Sequence, residues 1–416
     1  MTRRSAFERR LRRELHGARP PRADAAERRA WHVVRAAHAA RAPVRSRHRV
    51  ARLAAAVAVA VVAAALALTP AGAKMGDWID DVVNPAPEAT RSSLSSLPVP
   101  GRLLVVADSG AWLVHDHDGR RRLGGFSDAT WSPGGRFVAA ARGRELIAVD
   151  PFGHERWTRP APGRVTVPRW SPDGYRIAYR SGADLRVATG DNADDWLLAH
   201  GTAPTPPAWK PLAAPAAQVL AFAADGRVRI VQVETGDELG RTPPEPAPRE
   251  IWWADRGRRL VTVGSRTVRI HGPRGRLLRT VELPAGSKAV GSAVPRGGRR
   301  LAVIATRRSA SSLLVLRLDR ATPPRSLFSA RGEFAGVTWS IDGSLIVVGL
   351  PQADQWLYVR PRGAGAPESV GRIRHLFEGG LEPRRGAFPR PAGWCYREPT
   401  ATGTSEQSPC LSGSAP

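Results

Sequence analysis

Cysteine and lysine are nearly missing from this sequence. Its 416 residues hold two cysteines, Cys395 and Cys410, and three lysines, Lys74, Lys210 and Lys288. So little cysteine excludes a disulfide-dense secreted scaffold and the cysteine-rich zinc modules. The ten histidines show no zinc-ligand spacing. No G-x-S-x-G nucleophile elbow occurs, which removes the commonest sequence sign of a serine hydrolase. No glycine-rich phosphate loop opens a helix either. Gly272-Pro-Arg-Gly275 and Arg296-Gly-Gly-Arg299 read as hairpin turns. Catalytic, cofactor-binding and metal residues are therefore expected to be none, and the protein is not expected to be an enzyme.

What the chain does have is positive charge, carried almost wholly by arginine. Lys+Arg number 63 against 37 Asp+Glu, a net +26. Arginine in such excess, beside abundant Ala, Gly and Pro, matches the codon bias of a GC-rich genome. It is weak evidence for a nucleic-acid partner, and no helix-turn-helix is present. The distribution says more. Residues 1–52 carry sixteen Arg against Glu8, Glu14, Asp24 and Glu27, or +12. The other 364 residues share the remaining +14.

That basic block runs into Leu53–Leu68, LAAAVAVAVVAAALAL, and no charge appears from Leu53 to Ala73. As a helix this stretch reaches about 31 Å, enough to cross a hydrocarbon core. Arginines on its N-terminal side place residues 1–52 in the cytoplasm and the rest outside. The expected localisation is the cell membrane, single-pass, with an extracytoplasmic main domain. Cleavage after Ala71-Gly72-Ala73 is the alternative, but a signal peptide rarely starts with fifty basic residues. Residues 74–100 are rich in Pro and Ser toward their end and read as a juxtamembrane linker.

Within residues 1–52, SAFERRLRREL and DAAERRAWHVVRAAHAARA read as two short helices. In the second, Trp31 and Val34 fall on one apolar stripe. One reading lays this segment on the anionic inner leaflet. The other makes Trp31 and Val34 a docking surface for a cytoplasmic protein.

Beyond residue 100 the sequence repeats. Trp131, Trp170 and Trp209 are 39 apart, Trp253 follows after 44, Val294 takes the same slot after 41, and Trp339 after 45. A period of 40–45 residues is that of a β-propeller blade. Each period holds short β-type runs split by turn residues, as in Arg176–Arg180, Asp184–Ala188 and Asp195–Ala199. The recurring strings are WSPGGRFVAA, WSPDGYRIAY and WSIDGSLIVV. In them Trp supplies an apolar plate, Pro fixes φ, and Asp-Gly makes the reversal. The six Trp markers, Trp394 included, are expected between blades as structural residues. Seven blades are favoured and six are the alternative. Trp394, in PAGWCYRE, marks a last strand that completes the first blade and removes both edges.

These strings resemble the repeat of the TolB-like propellers, relatives of the tryptophan-aspartate (WD) repeat proteins. The likeness covers roughly residues 100–375. It implies a propeller outside the cytoplasm that binds proteins or envelope components and carries no catalytic residue. The layout as a whole resembles transmembrane anti-sigma regulators, but without their His-x3-Cys-x2-Cys zinc motif. That gives a second functional reading, in which the propeller senses and residues 1–52 restrain a cytoplasmic factor.

The expected organisation is a cytoplasmic segment over 1–52, a span over 53–73, a linker over 74–100, an all-β propeller over 101–396 and a flexible tail over 397–416. Expected partners are a protein or envelope component, the membrane, and a cytoplasmic protein at 1–52, with no nucleic acid. Two acidic stretches, His115-Asp-His-Asp-Gly119 and Gly190-Asp-Asn-Ala-Asp-Asp195, read as turns rather than metal loops. Cys395 and Cys410 are either a disulfide holding the closing strand or two free thiols.

Overall fold

The computed structural model describes residues 97–115, 119–211, 218–295, 297–362, 367–378 and 387–395, with the backbone of 410–412. The expectations for residues 1–52 (Trp31 and Val34 among them), the span over 53–73 and the linker up to residue 96 lie outside the described residues. Among the described residues no helix is long and apolar enough to cross a membrane.

Seven antiparallel sheets form seven blades. Blade 1 contains β1 (Arg102–Ala107), β2 (Gly110–His115) and β3 (Arg120–Gly124). Blade 2 is β4 (Asp128–Trp131), β5 (Val138–Arg142), β6 (Glu145–Val149) and β7 (Glu155–Pro160). Blade 3 is β8 (Val165–Trp170), β9 (Arg176–Ser181), β10 (Asp184–Thr189) and β11 (Asp195–Ala199). Blade 4 is β12 (Ala208–Trp209), β13 (Val219–Ala224), β14 (Arg227–Gln232) and β15 (Glu238–Arg241). Blade 5 is β16 (Glu250–Ala254), β17 (Arg259–Val263), β18 (Thr267–His271) and β19 (Leu277–Glu282). Blade 6 is β20 (Lys288–Ala293), β21 (Arg300–Arg307), β22 (Ala310–Arg317) and β23 (Arg325–Arg331). Blade 7 is β24 (Ala335–Trp339), β25 (Ile346–Leu350), β26 (Gln355–Val359) and β27 (Glu368–Gly371). A single helical turn, α1 (Ile373–Leu376), follows, then β28 (Arg390–Cys395) and β29 (Cys410–Ser412).

The last strands close the ring. β28 pairs with β1, placing Trp394 opposite Leu103 and Cys395 opposite Arg102. Gly101 makes the close approach possible: at φ +136° it packs where a Cβ would sit 2.6 Å from the Trp394 indole nitrogen. β29 then pairs with β28 on the side away from β1, with Cys410 opposite Cys395. The tail expected to be flexible therefore supplies a fifth strand to blade 1. The first strands contact one another in sequence, β4 with β8, β8 with β12, and on through β16, β20, β24 and β28 back to β4. They line the axis, and β29, which touches β4 and β24, lies inside that ring.

Each of the seven blade interfaces holds one apolar cluster, and each cluster contains one repeat marker. Trp131 lies between Leu104 and Leu113 of blade 1 and Val138 of blade 2. Trp170 joins blades 2 and 3, Trp209 blades 3 and 4, and Trp253 blades 4 and 5. Val294 marks blades 5 and 6, Trp339 blades 6 and 7, and Trp394 blades 7 and 1. The Val294 slot explains itself. Trp252, on the other face of β16, packs into the same cluster and donates from its indole to Ser292 Oγ at 2.8 Å. A second Trp there would compete for the same volume.

The turns after Trp131, Trp170 and Trp339 are held by a residue that the Pro and Asp-Gly chemistry leaves out. Ser132, Ser171 and Ser340 receive N–H bonds on their hydroxyls from Phe137 at 3.0 Å, Arg176 at 2.9 Å and Leu345 at 2.9 Å. The buried hydroxyl clamps the turn between the first and second strands, so Ser recurs with Trp.

Candidate functional site

Successive strands of a blade run in opposite directions. Turns between the first and second strands, and between the third and fourth, therefore lie on one end of the ring, called here the lower face. The chain reaches β1 from this face, since Arg102 is the first residue of a second-position strand.

The lower face is polarised. Turns of blades 2 to 4 carry Asp150, Asp173, Asp191, Asp194, Glu234 and Asp237. Turns of blades 5 to 7 carry eight exposed arginines: Arg256, Arg258, Arg274 and Arg276 in blade 5, Arg299 and Arg320 in blade 6, and Arg360 and Arg362 in blade 7. The acids within this arc are engaged: Asp255 with Arg299 at 3.2 Å, Asp319 with Arg317 at 2.6 Å, and Asp342 with the Ser340 hydroxyl at 2.5 Å. The Arg317 bond is the chief reason that the Asp319 carboxyl is held down at about 2. Three aromatic side chains stand in solvent on the acidic half. Phe137 is 36% exposed, Phe152 65% and Tyr175 67%, all in turns of blades 2 and 3. Arg121 lies over the Phe152 ring at 5.1 Å.

The axis holds a second cluster, contributed by first strands of different blades. Asp128 of β4 accepts the Ala129 N–H on Oδ1 at 2.9 Å and the Val167 N–H on Oδ2 at 3.1 Å. Val167 sits in a bulge of β8 at φ +46°, a strained conformation for a β-branched residue. Arg169 follows in the same bulge. Its guanidinium donates to the Pro168 carbonyl at 2.8 Å, and burial pulls its pKa down. Asp128, Glu250 and Arg390 all act on it electrostatically, from blades 2, 5 and 1. Only the axis lets four blades meet in this way. Arg390 of β28 is likewise pulled down by burial. Glu250 of β16 is buried, and its Oε2 accepts from Ser292 Oγ and from Trp252 Nε1 at 3.4 Å. Oε1 has no partner. Burial pushes the Glu250 carboxyl up to about 7, against the pull of Ser292, Trp252 and Arg169.

A third group has the residue types of a catalytic triad but not its geometry. Thr262 Oγ1 lies 3.2 Å from His271 Nε2, and it donates to Glu245 Oε2 at 3.1 Å. The other ring nitrogen, Nδ1, meets the Gly275 carbonyl at 3.2 Å. The carboxylate is thus on the hydroxyl side of the imidazole, where it cannot orient the ring as a base for that hydroxyl. All three residues are buried, so no substrate reaches them. The network ties blade 5 together, with Arg269 pairing to Glu245 at 2.8 Å.

The residues singled out from sequence fall as follows. The six Trp markers sit between blades. Three of them also donate to the preceding blade: Trp209 to Arg169 O at 2.8 Å, Trp253 to Ala208 O at 3.0 Å, and Trp339 to Ala293 O at 2.9 Å. Each acceptor immediately precedes the marker position of its own blade. Cys395 is disulfide-bonded, and Cys410 is the only other cysteine in the sequence. Residues 116–118 of the His115–Gly119 turn lie outside the described residues. The Gly190–Asp195 loop is a turn in which Asp191 accepts the Ala193 N–H at 3.1 Å. The axial cluster was not anticipated. Its signal was present: Asp128, Glu250 and Arg390 stand three or four residues before a Trp marker, a charge inside a short, otherwise buried strand.

No family model matches the sequence, and no curated protein matches it. Among solved structures, the chain is similar to the β-propeller domain of Cps50 (Swd1) from Myceliophteria thermophila at 14% identity and TM-score 0.51, covering 66% of this chain and 98% of that one. It is also similar to KlHsv2 with loop 6CD replaced by a Gly-Ser linker, at 12% identity and TM-score 0.49 over 62% and 89%. Kuenenia stuttgartiensis hydrazine synthase matches at 11% identity and TM-score 0.47 over 56% and 75%. At 14% identity the likeness to the Cps50 domain establishes the fold, a β-propeller, and the fold alone.

Proposed function

We propose that this protein is a membrane-anchored, extracytoplasmic β-propeller that binds a protein or envelope ligand on its lower face. The observation that carries the reading is the exposure of Phe137, Phe152 and Tyr175 in neighbouring turns of that face. Aromatic side chains in solvent are the usual anchors of a binding surface. The basic arc of blades 5 to 7 gives the same face a charged rim that steers and orients a partner. The span over 53–73 and the arginines before it support the anchored topology. The role is binding rather than catalysis, since a rigid ring with freely variable turns suits recognition and no hydrolase motif accompanies it.

The test is a crosslinked pull-down from native membranes, with the full-length chain and with a chain lacking residues 1–45. The expected result is one envelope protein recovered by both and lost on Phe152→Ser with Tyr175→Ser. A cytoplasmic transcription factor captured only by the full-length chain, and unaffected by those substitutions, would instead establish the regulator reading, with Trp31 and Val34 as docking residues. A reporter fused after Pro416 that works only in the cytoplasm should be silent. Activity there would overturn the topology.

A further inference from the structure

The lower face is divided by charge along a definite line. Asp191 and Asp194 of blade 3 and Glu234 and Asp237 of blade 4 are exposed and lie on one side of it. The exposed arginines of blades 5 to 7 lie on the other. The line runs from blade 1 to the junction of blades 4 and 5. Asp150 adds little to the acidic side, because it is buried and paired with Arg156 at 2.7 Å. Arg274, Arg276 and Arg362 make no ion pair among the described residues. The turns on this face are short, four to nine residues each, whereas the connection from β27 to β28 on the opposite face has 18. A two-fold axis laid along the line turns the face onto a copy of itself. In a ring of seven blades that operation sets blade 2 against blade 7, blade 3 against blade 6 and blade 4 against blade 5, while blade 1 meets itself. Acid then stands against arginine across the whole contact. A surface of this kind is self-complementary, as a closed two-fold interface requires.

We infer that the partner bound by the lower face is a second copy of this chain, docked face to face about that axis. The inference rests on the reading of the lower face as a binding surface and names what it binds. Glu234 and Asp237 of one copy face Arg274 and Arg276 of the other, all four in turns between third and fourth strands. Asp191 and Asp194 face Arg320, again in turns of that class. Phe152, 65% exposed, faces Arg360 and Arg362, and its ring already carries the guanidinium of Arg121 at 5.1 Å. Tyr175, in a turn between first and second strands, faces Arg299. Each contact is made twice, once on either side of the axis. A like-charged meeting remains, Lys210 with Arg256 and Arg258, but Lys210 lies over the Trp253 ring at 5.4 Å and Asp255 shares the turn of the arginines. The chain enters the ring at blade 1, so Arg102 of the two copies lies at the same end of the axis, as two chains anchored in one membrane need.

Analytical ultracentrifugation of the full-length protein in a neutral detergent tests this. The wild type is expected to be a dimer at low salt and to dissociate as salt rises, because exposed charges are screened. Arg274→Glu with Arg276→Glu should weaken the dimer roughly a hundredfold or more by setting acid against acid. Glu234→Arg with Asp237→Arg should do the same by setting arginine against arginine. An equal mixture of the two variants should recover the dimer, because every reversed turn then meets its complement. Recovery also shows that both variants are folded. A variant whose circular dichroism spectrum departs from wild type is replaced by Arg274→Gln with Arg276→Gln or by Glu234→Gln with Asp237→Asn, which should weaken the dimer roughly tenfold. A monomer at low salt, a dimer indifferent to salt and to both variants, or a mixture that stays monomeric would overturn the second copy as partner. The binding reading itself fails separately, if the membrane pull-down recovers nothing that depends on Phe152 and Tyr175.

Discussion

Replacing Trp339 tests the claim that the repeat marker is what joins one blade to the next. Its side chain is 1% exposed and lies among Ala302 and Ile304 of blade 6 and Ile346 and Val348 of blade 7. A buried Trp removes about 150–250 Å² from water. At about 25 cal/mol per Å² that is roughly 4–6 kcal/mol. The indole bond to the Ala293 carbonyl adds about 1 kcal/mol. Arg300, 5.0 Å above the ring, adds a smaller cation–π contribution. These contributions are upper bounds, because the unfolded chain and the Ala side chain bury part of the same surface, and Trp339→Ala should cost roughly 3–5 kcal/mol, a large part of a typical folding free energy. Trp339→Phe keeps the plate, loses the N–H donor, and should cost about 1–2 kcal/mol. Urea unfolding followed by circular dichroism measures both. If Trp339→Ala fell within about 1 kcal/mol of wild type, or if Phe were as damaging as Ala, the wedge would not be the joint.

Other perturbations have equally definite outcomes. Val294→Trp should destabilise by about 1–3 kcal/mol through overpacking, and Trp252→Ala in the same chain should relieve part of that cost, which a double-mutant cycle in urea would show. Glu250 has a raised folded pKa, near 7, so its protonated form stabilises the fold below about pH 4.5 and that contribution is lost as pH rises through 7. Glu250→Gln should remove roughly 3 kcal/mol of this pH dependence, read from urea midpoints between pH 4.5 and 8. His271 has the opposite sign: burial lowers its pKa, so stability is present above about 6.5 and falls as pH drops below it. Melting temperatures of His271→Gln should decline less between pH 7 and 5 than those of wild type. Cys395→Ser, which opens a loop of about 15 residues, should cost about 3 kcal/mol, and alkylation of the untreated wild type should label no thiol.

Most of the fold was legible because a propeller writes its period into the sequence. Trp131, Trp170, Trp209, Trp253 and Trp339 each lie at or next to the end of a first strand, and with Val294 in its slot the spacing between successive markers is one blade. Even the missing strand of blade 1 could be placed, since a ring must complete its open blade and Trp394 carried the same marker. The axial cluster was harder to see. A charge near the axis makes sense only when all seven first strands are placed together, and no local pattern shows that Asp128, Glu250 and Arg390 act electrostatically on Arg169 from other blades. The Ser clamp was hidden for a different reason: Ser, Pro and Asp-Gly are all turn formers, and only hydrogen bonds distinguish which one closes the turn. β29 was unreadable because its Ser- and Thr-rich surroundings lack any apolar alternation.

The pairing of β1 with β28 also has a consequence in time. Arg102 meets Cys395 from opposite ends of the propeller's sequence, so the first blade cannot be completed until β28 has been made. Until then the β1 edge stands open to any passing strand. Blades 2 to 7 can assemble in order as they emerge, but the ring locks only when β28 pairs with β1. A nascent chain stopped short of Arg390 would leave an unclosed arc with a sticky edge, a natural substrate for chaperones and proteases. Pairing two strands so far apart in sequence makes ring closure a late event of folding, because the long loop between them must be ordered first.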